Sequence, residues 1–227
     1  MIVEPSSPAG GYRQHRFAVP PGATRLLLIR HGESAAADPS SPFPLVDGHG
    51  DPPLHAEGLR QAELLVRRLE EEPIAAAYVT TLRRTRQTIA PYLARRGLEA
   101  RVEADLREVH LGEWEGGEYR VRAANGDPVF ARMIAEQRWD VIPGAETFEA
   151  FDARLRAALG RLVAAHPDET VAAVTHGGVI GRLVANAAGA ANRFAFIGAD
   201  NASITELVVS GDRQIVRGFN DVGHLRI

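Results

Sequence analysis

Two short stretches of the chain are apolar without interruption, Leu26-Leu27-Leu28-Ile29 and Val171-Ala172-Ala173-Val174. Runs of this kind, with no polar alternation, predict strands of a parallel sheet covered on both faces. Helix and strand patterns alternate between them, as in successive βαβ units. Ala62, Leu65, Val66 and Leu69 recur at helical spacing and predict a helix ended by Pro73. Ile74 to Val79 predicts the next strand. Leu82 to about Arg96 predicts a helix stopped by Gly97, with Pro91 inside it as a kink position. A short strand is expected around Ala100–Glu103. Asp127-Pro128 predicts an N-cap followed by proline at the first helical position. Phe148, Phe151, Leu155, Leu159 and Leu162 mark a core-facing helix closed near His166-Pro167, and another helix is expected from His176 to about Gly189. Ser203–Val209 and Gln214–Phe219 bracket Gly211-Asp212 as a terminal hairpin. A long loop rich in proline and glycine fills the interval from about Ala35 to His55. The pattern predicts an α/β fold: a three-layer α/β/α sandwich, its sheet mostly parallel and its helices on both faces. Residues 25–227 form the expected domain. Residues 1–24, which hold Pro, Gly and Ser but no apolar core, are expected to be an extended leader and not a signal peptide.

Composition narrows the class. A chain of 227 residues buries roughly 70 % of its unfolded surface and needs no staples. It has no cysteine, which excludes disulfides, thiolate metal sites and cysteine nucleophiles together, and fits a reducing compartment. A cytoplasmic location is the expectation. The net charge of −3, with both signs interspersed, argues against a nucleic-acid partner. No apolar run approaches the length needed to cross a bilayer, so no membrane partner is expected.

The chemistry gathers at the ends of the two apolar runs. One closes on Arg30-His31-Gly32-Glu33, the other on Thr175-His176-Gly177-Gly178. In an open α/β sheet, ligands bind beyond the carboxyl ends of the strands. If the strands are neighbours, both histidines project into one crevice, and the glycines let backbone approach a ligand closely. A histidine beside an arginine, met by a second histidine, is a site for a phosphoryl group. His49 and His55, with Asp47 and Asp51 nearby, raise the alternative of a metal site, but their spacing matches no recognised ligand pattern. The reading is therefore no metal and no cofactor.

Four strings in order carry a resemblance: Arg30-His31-Gly32-Glu33-Ser34; Thr80-Thr81-Leu82-Arg83-Arg84-Thr85-Arg86-Gln87-Thr88; Leu106-Arg107-Glu108-Val109-His110-Leu111-Gly112-Glu113-Trp114-Glu115-Gly116; and Thr175-His176-Gly177-Gly178. Over about residues 25–225 the chain resembles the histidine phosphatase superfamily, with its phosphoglycerate-mutase-like fold, and within it the phosphatase branch. The resemblance implies His31 as nucleophile and Glu108 as proton donor. It implies Arg30, Arg84 and His176 as grips for the phosphoryl oxygens, with Ser34 and Gly177 as further phosphate contacts. Arg84 is preferred to Arg83 because it holds the fifth place of its string, and Glu113 and Glu115 are rival acids to Glu108. The physics agrees. Phosphoryl transfer asks for positioning and for charge on three equatorial oxygens; arginine presents a rigid fork of donors; neutral imidazole is a competent nucleophile. The chain departs from the pattern at Ala37, where many relatives carry asparagine, and at Gly144-Ala145-Glu146-Thr147, where Gly-Gly-Glu-Ser is common. Trp114, Tyr119, Arg122 and Trp139 lie in the segment that covers the site in relatives, where they select substrate or pack the core.

The expected function is hydrolysis of a small phosphorylated metabolite through a phosphohistidine. The alternatives are mutase-type phosphoryl transfer between glycerate phosphates, a phosphodiester or nucleotide hydrolase, and a silent phospho-ligand binding module. A homodimer is compatible with the sequence.

Overall fold

The two uninterrupted apolar runs lie side by side at the centre of one sheet in the computed structural model, which describes residues 14–226. The elements in chain order are β1 (Thr24–Arg30), β2 (Leu45–Val46), β3 (His49–Gly50), α1 (Ala56–Glu70), β4 (Ile74–Val79), α2 (Arg83–Arg96), β5 (Ala100–Val102), α3 (Glu118–Ala124), α4 (Pro128–Glu136), α5 (Phe148–Ala165), β6 (Thr170–Thr175), α6 (Gly177–Ala188), β7 (Ile204–Ser210) and β8 (Arg213–Asp221). Six strands form the sheet in the order β5-β4-β6-β1-β7-β8. The first four of these run parallel, and β7 and β8 add antiparallel edges. Arg30 pairs with Thr175 at the ends of β1 and β6, so His31 and His176 leave the sheet at the same level.

The absence of polar alternation has a direct cause. Leu26 and Leu28 pack with α5 and α6 on one face, while Leu27 and Ile29 pack with α1 and α2 on the other. Every position of β1 from Leu26 to Ile29 is therefore a core position, and the three layers follow. Helix ends use local chemistry. The Asp127 carboxylate accepts from Val129 N–H with Pro128 behind it, and the Thr147 hydroxyl accepts from Ala150 N–H. Such caps contribute about 1 kcal/mol each. α2 continues as one helix through Pro91 to Gly97.

Two expectations change in detail. β1 begins at Thr24, so that residue belongs to the sheet and not to the leader. Residues 1–13 lie outside the described residues; residues 14–19 have no regular structure, and Phe17 lies under the Arg217 guanidinium of β8 at 4.0 Å. The loop after Ala35 contains a small hairpin, β2–β3, turning at Asp47 and Gly48, both with positive φ (49° and 81°). An Asp-Gly pair at such a turn is a strong local hairpin signal. Among the described residues, no helix is long and apolar enough to cross a membrane.

Candidate active site

His31 follows β1 directly, its N–H donating to Thr175 O at 2.9 Å. The next two residues are held tightly. Gly32 N–H donates to the Thr88 hydroxyl at 2.9 Å, and a Cβ on Gly32 would stand 2.7 Å from Gly58 O. A Cβ on Gly58 would meet Glu33 O at 2.0 Å, so the turn after His31 and the first turn of α1 fit only as glycine against backbone. The His31 ring is 7 % exposed. Its Nδ1 lies 2.8 Å from Gly32 O, a contact in which nitrogen must donate. Nδ1 therefore carries the proton and Nε2 keeps its lone pair, with no protein partner among the described residues.

His176 stands edge-on to His31, ring centroids 5.2 Å apart. It is fully buried, and both nitrogens are engaged: Arg84 donates to Nδ1 at 3.3 Å, and Nε2 faces the Thr80 hydroxyl at 3.2 Å. The rest of the Arg84 fork donates to Gly50 O at 2.9 Å. Arg84 is 8 % exposed and lines the cleft, whereas Arg83 turns away to pair with Asp51. Arg30 donates to Ala199 O and keeps a buried Nε without partner beside Gly177. Burial pulls Arg84 down to about 10, against the pull of Glu108 and Asp51, so it stays charged at neutral pH.

Glu108 arrives on the loop after β5. Its carboxylate accepts from Val109 N–H and from Gly178 N–H, both at 3.0 Å. Gly178 is glycine for a steric reason, since a Cβ there would lie 2.5 Å from the carboxylate. The loop is clamped from α5. Arg154 donates to three backbone carbonyls, Asp105 O, Arg107 O and Glu108 O, at 2.6–2.8 Å, and forks onto Glu146. Glu146 in turn is tied to the His110 backbone: its N–H donates to His110 O at 2.8 Å and its carboxylate accepts from His110 N–H at 3.2 Å. The Gly144-Ala145-Glu146-Thr147 string thus supplies both the cap of α5 and the counter-charge for this clamp. The rival acids are placed otherwise: Glu115 is spent on Gly50 N–H and Leu111 N–H, and Glu113 is exposed.

Arg30, His31, Arg84 and Glu108, together with Glu115 and with Gly177 at the start of α6, line a cleft of about 400 Å³ at the carboxyl ends of β1 and β6. Phe43, Leu111, Trp114, Tyr119, Trp139 and Ile197 supply its apolar wall. Arg122 turns outward to Glu118 and Asp127. Ser34 differs from its expected place: it is buried outside the cleft lining, and its hydroxyl accepts from Arg120 at 2.7 Å. His176, too, is not among the residues that line the cleft and reaches it through Arg84. The loop histidines are apart in their roles, His49 between Asp47 O and Glu108 O and His55 capping α1, while Asp51 holds Arg83. Arg120 lines the cleft and was not singled out by its sequence context; nothing local marks it, because its position depends on where the Gly116-Gly117 turn sets α3 down.

Burial, then the Arg84 charge, holds both His31 and His176 well below the ordinary imidazole value of 6.5, with Arg30 adding to the effect at His31. Both rings are neutral in the fold but take up a proton in the unfolded chain below pH 6.5. The unfolded state then binds more protons, so stability is complete above that pH and falls as the medium becomes more acid. Each ring contributes a slope of up to about 1.4 kcal/mol per pH unit. Melting temperature should be flat from pH 8 to 7 and drop from pH 6.5 to 5, with a shallower drop in His31→Ala. An identical pH profile for the two proteins would contradict the assignment.

A family model described as the histidine phosphatase superfamily (branch 1) matches residues 26–222. Phosphoglycerate mutase-like protein 4 of Arabidopsis thaliana is 32% identical over 204 residues, 88% of this chain and 86% of the relative. The metal-independent phosphoserine phosphatase of the same plant is 28% identical over 206 residues, 89% of this chain and 83% of that protein. Among solved structures, a mycobacterial glucosyl-3-phosphoglycerate phosphatase superposes with a TM-score of 0.71 at 30% identity, over 87% of this chain and 99% of its own. The family match runs from within β1 to the end of β8 and encloses every residue of the cleft: the chain belongs to the histidine phosphatase superfamily, branch 1, and is a phosphatase.

Proposed function

We propose that the protein hydrolyses a small phosphorylated metabolite through a phosphohistidine on His31, without a cofactor. The observation that carries this reading is the Nδ1–Gly32 O contact, which leaves a neutral ring with the Nε2 lone pair free beside two arginines. In the first step Nε2 attacks phosphorus and the ester P–O bond breaks. Glu108, entering as the acid, delivers its proton to the leaving oxygen. Arg30 and Arg84 take the charge that gathers on the equatorial oxygens, helped by the positive end of α6 at Gly177. Water then attacks the phosphohistidine; Glu108, now the base, takes a proton from it, and the P–N bond breaks. Inorganic phosphate leaves and both groups return to their starting states.

The names of the relatives support hydrolysis, and the aromatic wall suits an organic leaving group of modest size. The competing reading is phosphoryl transfer between glycerate phosphates. Phosphate release and glycerate-phosphate isomerisation, followed on one sample with and without a bisphosphorylated glycerate primer, separate the two. Inorganic phosphate should appear as fast as substrate disappears. Primer-dependent isomerisation that outruns phosphate release by orders of magnitude would replace the phosphatase reading with the mutase one.

A further inference from the structure

The β2–β3 hairpin touches both halves of the site. Gly50 O accepts from Arg84 at 2.9 Å, and His49, one residue earlier, meets the main chain of the acid, its Nε2 3.2 Å from Glu108 O. His49 is buried and is not among the residues that line the cleft, so it acts on the Glu108 loop and not on a ligand. Its other nitrogen, Nδ1, lies 3.1 Å from Asp47 O. A carbonyl oxygen only accepts, so a ring nitrogen that faces one must donate, and a neutral ring has one proton for two carbonyls. Neutral is the state of this ring at pH 7. Burial holds it below the ordinary imidazole value, against the pull of Asp47 O and the Glu115 carboxylate, while Arg107 and His110 add to the lowering. The two carbonyls differ in their other support. The turn at Asp47 is already closed by the pairing of Val46 with His49 and of Leu45 with Gly50, and the Asp47 carboxylate holds Arg107 at 2.8 Å. Glu108 O otherwise accepts only from Arg154 among the described residues, at 2.8 Å, so His49 adds a second donor from a different element.

We propose that His49 is a positioning residue for Glu108: the ring carries its proton on Nε2 and donates it to Glu108 O, fixing the main chain from which the acid reaches the leaving oxygen. The role rests on the phosphatase reading above. It also gives a task to a loop histidine whose sequence context raised metal binding. Because Gly50 O holds Arg84 from the same strand, the hairpin sets the acid and the phosphate grip relative to one another.

Asparagine keeps an amide N–H near the place of Nδ1 and glutamine keeps one near the place of Nε2, so the two substitutions separate the two carbonyls. kcat/KM is measured on phenyl phosphate, whose leaving oxygen needs a proton, and on 4-nitrophenyl phosphate, whose leaving group departs as an anion. In His49→Asn it should fall about tenfold or more on phenyl phosphate and by less than about threefold on 4-nitrophenyl phosphate. His49→Gln should stay within about threefold on both. The ratio of the two values is untouched by an unfolded fraction, so a partly folded variant still decides. In a Glu108→Gln background His49→Asn should add less than about twofold, because the group it positions no longer moves a proton. In ¹⁵N spectra of the unaltered protein at neutral pH, the ring nitrogen shifts of His49 should place the proton on Nε2. Equal effects of His49→Asn on the two esters overturn the proposal. So does rescue by asparagine in place of glutamine, a full further loss in the Glu108→Gln background, or a proton on Nδ1. Failure of the unaltered protein to turn over either ester would remove the phosphatase reading and the positioning role with it. Turnover with variants that do not discriminate between the esters removes the positioning role alone.

Discussion

His31→Ala should remove essentially all turnover, by about 10⁴-fold or more, while the protein stays folded. The size of the effect follows from the lack of a substitute. Among the described residues His176 is the only other imidazole in ring contact with His31, and it cannot step in, because Arg84 occupies its Nδ1 and Thr80 its Nε2. The fold should survive because, among the described residues, the His31 side chain makes a single hydrogen bond, to the carbonyl of its own neighbour, while the turn is held by Gly32, Thr88 and Gly58. Phosphate trapped on the protein during turnover should map to His31 under alkaline conditions, since phosphohistidine is lost in acid. A folded His31→Ala protein with near-normal turnover, or labelling that persists in it, would end the mechanism.

The parts of the structure legible in the sequence are those set by local chemistry. Uninterrupted apolar runs announce β1 and β6 because both faces of these strands are covered; Asp127-Pro128, Gly97 and Gly211-Asp212 act within a few residues of where they stand. The histidines were legible for the same reason, each closing such a run. Glu108 was legible only as one of three acids, and what decides among them is distant in sequence: Gly178 N–H takes Glu108, while Gly50 N–H takes Glu115. Arg154 and Arg120 were silent. Arg154 matters because α5 passes beneath the Glu108 loop, and Arg120 because α3 lands beside Ser34; neither follows from the residues around it. The β2–β3 hairpin is a different case, since Asp47-Gly48 carried its signal openly within a loop whose prolines drew the eye.

Glu108→Gln should cost about 10²–10⁴-fold in kcat/KM on an alkyl phosphate, whose leaving oxygen needs a proton. An amide neither gives that proton nor takes one back. The loss in kcat/KM should shrink on 4-nitrophenyl phosphate, whose leaving group departs as an anion. On that substrate kcat should still fall, because the second step needs Glu108 as base towards water. Phosphohistidine should then accumulate, and nitrophenol should appear in a burst equal to the enzyme present, followed by a slow phase. One structural effect must be separated from the chemistry. Both carboxylate oxygens of Glu108 accept backbone N–H groups, and an amide can serve only one of them, so some stability is lost, on the order of 1–3 kcal/mol. That loss lowers the melting temperature but acts alike on every substrate, whereas a missing proton discriminates between leaving groups. Equal losses in kcat/KM on the alkyl and aryl esters, with no burst, would make Glu108 a structural residue and return the acid's role to the loop it sits on.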